Sequence, residues 1–187
     1  MPRQDPLTHP EPLIRRVYAY VAYRVGDGPE AEDVTSETFE RALRYRHTYD
    51  PRRGEPVAWL IGIARRQIDE SYAPRPFPSA DLPDEAAVTE PLEELVARRL
   101  DLAAAVAGLA ERDRELIALR YGADLTARQI AELLDTTTNS VEVALHRALA
   151  RLRTTLEQEA AREAAAGPFR QRSPVPMNTS VVKENPA

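Results

Sequence analysis

The chain has 187 residues, of which 43% are hydrophobic and 29% charged, and its formal net charge is −5. Cysteine is absent, no apolar run approaches the length needed to cross a bilayer, and four prolines occupy the first twelve residues, where a secretory signal would need an apolar block. These features argue against secreted and membrane-spanning classes, and we expect a cytoplasmic protein with no membrane insertion.

The composition favours helices throughout the chain. Ala, Leu, Arg and Glu recur at three- and four-residue spacings, glycines number only seven, and no convincing alternation of apolar and polar residues is present. A chain of this length holds one medium domain or two small ones. Because a proline-rich segment divides it, we predict an all-α protein of two small helical domains joined by a flexible linker, with a helix-turn-helix in the second.

A proline-rich leader, residues 1–12, is expected to be disordered. Residues 13–25 form the first predicted helix, whose apolar side chains share one face: Ile14, Val17, Tyr18, Val21 and Val25. Gly26 and Gly28 interrupt this pattern, and Pro29 suits the first position of the next helix. The first two helices therefore form a hairpin.

The second predicted helix runs from Pro29 to about Arg46. Its inward positions are Ala31, Val34, Thr38, Phe39, Ala42 and Tyr45. Its outer positions are charged or polar: Asp33, Ser36, Glu37, Glu40, Arg41 and Arg44. A charged outer stripe of this kind is most often simply a solvated face.

An arginine-rich connection over residues 46–56 leads to a third predicted helix, which opens at Pro56. Its inward residues are Val57, Leu60, Ile61, Ala64 and Ile68, and Trp59, Arg65 and Arg66 lie nearer the rim. This helix completes a first domain over residues 13–73. Residues 74–91 contain five prolines and a cluster of acids without amphipathic periodicity, so we predict a flexible linker.

The second domain is predicted over residues 92–160, and residues 161–187 are expected to form a disordered tail. Thr126 with Gln129, and Asn139 with Glu142, fit the reciprocal capping pattern at the start of two successive helices. Apolar residues recur in both helices at three- and four-residue steps: Ile130, Leu133, Leu134, Val141, Leu145, Ala148, Leu149, Leu152 and Leu156. A tight polar turn at 135–138 separates them. The pattern is typical of a helix-turn-helix that enters a DNA major groove, and the alternative is an ordinary helical hairpin.

Three motifs in this order resemble the extracytoplasmic-function sigma factors of bacterial RNA polymerase. They are Ala31-Glu-Asp-Val-Thr-Ser-Glu-Thr-Phe39, then Tyr49-Asp-Pro51 with Ala58-Trp-Leu-Ile-Gly-Ile-Ala-Arg65, then Glu115-Leu-Ile-Ala-Leu-Arg-Tyr121 ahead of the helix-turn-helix. The resemblance covers residues 13–157 and implies a region 2-like first domain and a region 4-like second domain. Such a protein binds core RNA polymerase and selects promoters.

The resemblance also implies roles for individual residues of the first domain. The outer face of the second helix would bind the β′ clamp of the polymerase through Asp33, Ser36, Glu37, Glu40 and Arg41. The connection at 46–55 would capture an unpaired base of the minus-ten element. The displaced strand would be held by Arg52, Arg53, Trp59, Arg65 and Arg66. Aromatic stacking and arginine contacts suit single-stranded DNA, although plain core packing is an equal alternative for Trp59.

The second domain would contact the β flap and read the minus-thirty-five element. Its expected DNA contacts are Asn139, Ser140, Val143, Ala144, Arg147 and Arg151. Arg147 is the best candidate for a bidentate contact with guanine, and Val143 could pack on a thymine methyl group. Glu142 could accept a hydrogen bond from cytosine or simply cap the helix. Members of this family are commonly inhibited by an anti-sigma protein, which makes such a protein an expected further partner.

Two other classes of function remain to be weighed. Family recognition helices commonly present Lys and Arg where this chain has Glu142 and Ala144, which is also consistent with a sigma-derived regulator or adaptor whose DNA binding is weak or altered. An enzyme is poorly supported, because His9, His47 and His146 are scattered, and no metal-ligand pair, nucleophile motif or phosphate-binding glycine loop is present. No cofactor or metal is expected.

Overall fold

The computed structural model describes residues 5–71 and 92–166, and within these ranges every regular element is helical. The expected flexible linker and most of the expected tail lie outside the described residues. The α-helices of the described ranges are α1 (Pro10–Val25), α2 (Pro29–Tyr45), α3 (Pro56–Ser71), α4 (Leu92–Ala107), α5 (Glu111–Ile117), α6 (Ala127–Leu133) and α7 (Thr138–Ala166). Short 3-10 turns cover Arg46–Thr48 and Pro51–Arg53, and a π-helical turn covers Ala118–Gly122.

The first three helices pack around an apolar core to which each contributes. The fully buried side chains include Val17 and Val21 of α1, Val34 of α2, and Leu60 and Ile61 of α3. Burying a side chain of this size stabilises the fold by roughly 1.5–3 kcal/mol. This core is the one predicted from the three-residue and four-residue periodicity.

Three details of the first domain differ from the prediction. Helix α1 begins at Pro10, so the last residues of the expected leader are helical. Ile14 is 42% exposed and Tyr45 is 49% exposed, although both were predicted to be buried. Ile14 is exposed because the buried face of α1 is rotated toward Tyr20 and Arg24, on the side where the second domain packs. Tyr45 is exposed because it is the last residue of α2, where the chain leaves the packed hairpin.

In the second domain, α6 and α7 form the helix-turn-helix, and α4 and α5 cover it. Its core includes Leu119, Leu125, Ile130 and Val141, all at most 2% exposed. Leu149 was predicted to be buried, but it is 37% exposed because the inward line of α7 passes through Ala148 and Leu152. Helix α7 extends to Ala166, so the beginning of the expected tail, residues 161–166, is helical.

The two domains share one apolar core. Val17 and Tyr20 of α1 belong to the same cluster of buried residues as Leu119, Ala123 and Leu125 of the second domain. The domains therefore pack directly on each other in addition to being connected through the chain. Sequence patterning did not predict this contact.

Candidate functional site

The outer face of α2 is open to solvent. Asp33, Ser36, Glu37 and Glu40 are exposed, and Arg41 is partly exposed, as the sequence predicts. One guanidinium nitrogen of Arg41 lies 3.4 Å from Glu37 Oε1 and the other lies 3.9 Å from Glu70 Oε2. Ion pairs at exposed positions contribute little to stability, so these side chains can exchange partners at low cost. The result is a mostly acidic surface available to another molecule.

A buried polar contact fixes the orientation of this face. The hydroxyl of Thr38 donates to Gln67 Oε1 on α3 at 2.6 Å and lies 2.7 Å from the carbonyl of Val34, an alternative acceptor for the same hydrogen. Both side chains are at most 1% exposed. Because a buried polar group is costly unless it is hydrogen-bonded, this contact holds α2 in one rotation against α3.

The connection between α2 and α3 is pinned to α3 by aromatic residues. The rings of Tyr49 and Trp59 are 5.6 Å apart at 54°, and the Tyr49 hydroxyl donates to the carbonyl of Gly54 at 3.0 Å. The Asp50 carboxylate accepts from the backbone N–H of Arg52 at 3.0 Å and so caps the 3-10 turn. This turn presents Arg52 and Arg53 to solvent.

A cleft of about 460 Å³ lies beside this connection. One wall carries the aromatic rings of Tyr49 and Trp59 and the guanidinium groups of Arg53 and Arg66. The opposite wall is formed by α6 of the second domain: Gln129, Glu132 and Leu133. Aromatic rings next to arginines are the usual means of holding single-stranded nucleic acid. The structure therefore brings three predicted contact residues of the first domain, Arg53, Trp59 and Arg66, together with Tyr49, and it adds a second wall that the sequence did not predict.

Arg65 was predicted to act alongside Arg66, but the structure directs the two side chains to different partners. Arg65 Nε donates to Glu115 Oε1 on α5 at 2.6 Å, whereas Arg66 is exposed and lines the cleft. Burial lowers the pKa of Arg65, but the charge and hydrogen bond of Glu115 outweigh burial and raise that pKa. Arg65 is therefore charged and already paired within the chain.

The sequence did not predict an ionic cluster around Arg24 at the domain interface. The Arg24 side chain is 3% exposed and contacts Glu111 Oε1 at 2.6 Å, Glu115 Oε1 at 3.4 Å and the hydroxyl of Tyr20 at 2.9 Å. Burial lowers the pKa of Arg24, but Tyr20, Glu115 and Glu111 raise it above its ordinary value. The signal in the sequence was that Arg24 lies next to the apolar face of α1. An arginine buried on that face needs an ionic partner, because arginine is almost never fully buried unless it is paired.

Both helices of the helix-turn-helix are capped at their N-termini, and the cap of the second helix differs from the prediction. Thr126 and Gln129 form the reciprocal capping box at the start of α6, as predicted. The predicted cap at Asn139 is wrong, because α7 already begins at Thr138 and the backbone N–H of Ser140 donates to the Thr137 hydroxyl at 3.2 Å. The cap lies two residues earlier than expected, and the chain turns through Asp135 at a left-handed φ of 50°.

The predicted DNA-reading face of α7 is only partly free. Asn139, Ser140, Val143 and Arg147 are exposed, and Val143 is 42% exposed. Ala144 is half-buried against the core, and Nη1 of Arg151 donates to Asp113 Oδ2 on α5 at 2.7 Å. Arg147 and Val143 therefore project from the first turns of α7, where a recognition helix meets base edges.

Within the described residues there is no cluster of three or more His, Cys, Asp or Glu side chains that could hold a metal ion. In the same part of the chain, no helix has the length and hydropathy needed to cross a membrane.

Comparison with known families identifies two regions in order. Residues 11–73 match the family described as Sigma-70 region 2, and residues 99–152 match the family described as Sigma-70, region 4. These matches leave the predicted linker between them.

Comparison with curated proteins finds several relatives that share most of this length. The chain is 32% identical over 154 residues to the ECF RNA polymerase sigma factor SigD of Mycobacterium tuberculosis, which covers 73% of this chain and 70% of SigD. It is 31% identical over 151 residues to the ECF RNA polymerase sigma factor BldN of Streptomyces coelicolor, covering 77% of this chain but only 57% of BldN. The ECF RNA polymerase sigma factor SigK of Mycobacterium ulcerans is 28% identical over 150 residues, which cover 76% of this chain and 80% of SigK.

Among solved structures, the fold is similar to the sigma factor RpoE in its complex with the anti-sigma factor NepR from Bartonella quintana. The TM-score is 0.57 at 18% identity, and the match covers 79% of this chain and 93% of the RpoE chain. At this identity the likeness concerns the fold alone.

Proposed function

Because this chain belongs to the ECF (extracytoplasmic-function) sigma factors of RNA polymerase, we propose that it binds core RNA polymerase in the cytoplasm and directs it to a set of promoters. Its role is regulatory DNA binding, without a reaction of its own. The observation that carries the proposal is that regions 2 and 4 occur in order in one chain, each with an exposed helical face suited to its partner.

The outer face of α2 is the proposed contact with the β′ clamp. Asp33, Glu37 and Glu40 are exposed there, and the Thr38–Gln67 contact holds them in one orientation. An acidic patch attracts a basic partner surface and accelerates its docking. The second domain would contact the β flap, and an anti-sigma protein would compete with polymerase for these surfaces.

The wall of the cleft with Tyr49, Trp59, Arg53 and Arg66 is the proposed site of minus-ten strand capture. Stacking of a base on an aromatic ring contributes about 1–3 kcal/mol per base. Arg52 and Arg53 project from the capped 3-10 turn next to this wall. They would hold the phosphates of the unpaired strand by charge.

Helix α7 is the proposed reader of the minus-thirty-five element. Arg147 presents a planar fork that matches guanine in the major groove, and exposed Val143 presents a methyl surface for thymine. Asn139 and Ser140 lie in the first turn of α7, close to where the DNA backbone would pass. Arg151 would contact phosphate only after leaving Asp113.

The test is transcription reconstituted from the purified chain and core polymerase on genomic DNA of the host bacterium, with sequencing of the 5′ ends. We expect new start sites that share a minus-ten and a minus-thirty-five element. Stable complex formation with core polymerase should accompany them. Failure of both the complex and the start sites would refute the proposal.

A second candidate function is a sigma-derived regulator or adaptor with weak DNA binding. It is favoured by the exposed Glu142 beside Val143, since an acid at this position opposes DNA phosphates. The two functions differ in the salt dependence of duplex binding by the full chain. The DNA affinity of a sigma factor that binds phosphates falls steeply as the salt concentration rises. A DNA affinity that hardly changes with salt concentration would favour the adaptor.

A further inference from the structure

We propose that this chain closes on itself, so that its second domain covers the Trp59 and Arg65 part of the minus-ten face and the domains must separate before a DNA strand is captured. The inference rests on the proposed function for the identity of the covered face. The contact between the domains is itself a feature of the described structure.

The backbones of the two domains approach each other closely at Gly122, the last residue of the π-helical turn. A Cβ atom built on Gly122 would lie 2.8 Å from the backbone N of Tyr20 and 2.9 Å from the carbonyl carbon of Ala19. Separations under 3.0 Å are essentially never seen for real Cβ atoms, and the atoms met are backbone of α1, which cannot rotate away. Only glycine therefore allows the domains to meet this closely.

Hydrogen bonds between the domains surround this contact. Arg16 of α1 donates from Nε to the carbonyl of Ala123 at 2.7 Å and from Nη2 to the carbonyl of Asp124 at 2.9 Å. These carbonyls follow the π-helical turn, where the regular helical bonding pattern has ended. One guanidinium thus satisfies two otherwise free backbone acceptors of the other domain.

The second set of contacts engages a predicted DNA-binding residue. Glu115 of α5 pairs with Arg65 at 2.6 Å and with buried Arg24 at 3.4 Å. A carboxylate offers the guanidinium of Arg65 the same kind of oxygen acceptors as a DNA phosphate. Arg65 can bind a strand only when it leaves Glu115, so DNA and the second domain compete for it.

Helix α6 adds a steric barrier over the strand-capturing face. A Cβ atom at Gly62 of α3 would lie 3.8 Å from Leu133 Cδ1, and Gln129 and Glu132 form the wall opposite Trp59. The outer face of α2 and the start of α7 stay exposed in the same arrangement. The closed chain therefore leaves its proposed polymerase surface free, while α6 faces Trp59 across the cleft and Glu115 holds Arg65. Arg52, Arg53 and Arg66 of the minus-ten surface stay exposed.

The distance between the domains tests the closure directly. Since the chain has no cysteine, spin labels can be placed on Arg44→Cys in α2 and Ala150→Cys in α7, both exposed positions. For the full chain in solution we expect one narrow distance distribution. Gly122→Ala should shift it to a longer, broader distribution with unchanged helical content, because the atoms nearest to the added methyl belong to the backbone of α1.

Gly108→Ala is the matched control, since its Cβ would meet nothing closer than 3.6 Å and the atoms met are carbonyl oxygens of α4. It should keep the wild-type distribution. Arg16→Ala provides a second opening variant should Gly122→Ala fail to fold. A broad distribution in the wild type, or a wild-type distribution in a folded opening variant, would overturn the proposal.

Trp59 supplies a readout of the covered face that requires no labels. It is the only tryptophan of the chain, so its fluorescence can be assigned without ambiguity. Quenching by acrylamide should be stronger in Gly122→Ala than in the wild type and unchanged in Gly108→Ala. Equal quenching in an opened variant would show that α6 does not cover this face.

Neither measurement uses DNA or polymerase, so failure of the closure and failure of the proposed function are distinguishable. If transcription fails but the opening variant changes distance and quenching as expected, the interdomain contact stands and only the identity of the covered face is lost. If transcription succeeds and the wild-type distance is already broad, the sigma function stands and the closure is wrong.

Discussion

Arg65 Nε and Glu115 Oε1 lie 2.6 Å apart although fifty residues separate them in the sequence. The pair joins α3 of the first domain to α5 of the second. It places a predicted DNA-contacting arginine in an intramolecular ion pair with buried Arg24 beside it. The stability of the packed chain and the availability of Arg65 for contact with DNA thus depend on the same few charged groups.

Arg24→Met should destabilise the packed chain. The buried hydroxyl of Tyr20 loses the hydrogen bond that it accepts from Arg24. Glu115 keeps its pair with Arg65, and the exposed Glu111 keeps its pair with Arg114, so we expect a loss of about 1–3 kcal/mol. Urea unfolding followed by circular dichroism would measure it. Arg44→Met, at an exposed position of α2, should change stability by less than about 0.5 kcal/mol. Equal effects of the two substitutions would contradict the burial of Arg24.

Thr137→Ala should weaken the start of α7 by about 1 kcal/mol, the usual cost of a lost N-cap. The expected reason is the loss of the bond that Thr137 accepts from the backbone N–H of Ser140. Asn139→Ala serves as the comparison, since Asn139 already lies inside the helix. Thermal unfolding of both variants decides between the two residues, and a larger effect for Asn139→Ala would restore the cap expected from the sequence.

The ionic cluster also predicts a pH dependence of stability. Burial raises the pKa of Glu111, but its contacts with Arg114 and Arg24 outweigh burial and lower that pKa below the ordinary 4.5. A lowered carboxyl pKa stabilises the folded chain above about pH 4.5, and this contribution is lost as the pH falls through the folded pKa. The difference in thermal midpoint between the wild type and Glu111→Gln should therefore be full at pH 7 and shrink below pH 4.5. A difference that grows on acidification would contradict the assignment.

Glu37→Arg should weaken binding to core polymerase without unfolding the first domain. Glu37 is exposed on the outer face of α2, so reversing its charge costs little folding energy but places a cation against a basic partner surface. Binding can be measured by fluorescence anisotropy and folding by thermal denaturation. Glu157→Arg, the same charge reversal at an exposed position of α7, should bind core polymerase as the wild type does. A large drop in the thermal midpoint of Glu37→Arg would contradict its exposed position.

Arg147→Ala should reduce promoter selectivity at one base position. A bidentate arginine–guanine contact contributes about 1–3 kcal/mol of discrimination, and loss of the fork removes it. Competition binding with single-base variants of a mapped promoter, using the holoenzyme, would locate the position. Arg153→Ala, further along the exposed side of α7, should leave the base preference unchanged. Uniform weakening across all sequences would instead identify Arg147 as a phosphate contact.

The sequence by itself determined the helices and most of their buried faces. Val17, Val34, Leu60 and Ile130 repeat at helical spacing, and a local pattern of this kind needs only nearby residues to be recognised. The capping box at Thr126 was equally readable, because its two partners are three residues apart. The exposed acidic face of α2 followed from the same periodicity.

Only the tertiary structure decided how the domains meet. Arg24 is buried, Arg65 is paired with Glu115, and Gly122 lies against the backbone of α1. Each of these facts joins residues fifty or more positions apart, across a linker whose composition does not specify a geometry. Periodicity reports which face of a helix is apolar, but it does not report which distant surface will cover that face, and that choice depends on shape and charge complementarity that exists only after the chain has folded.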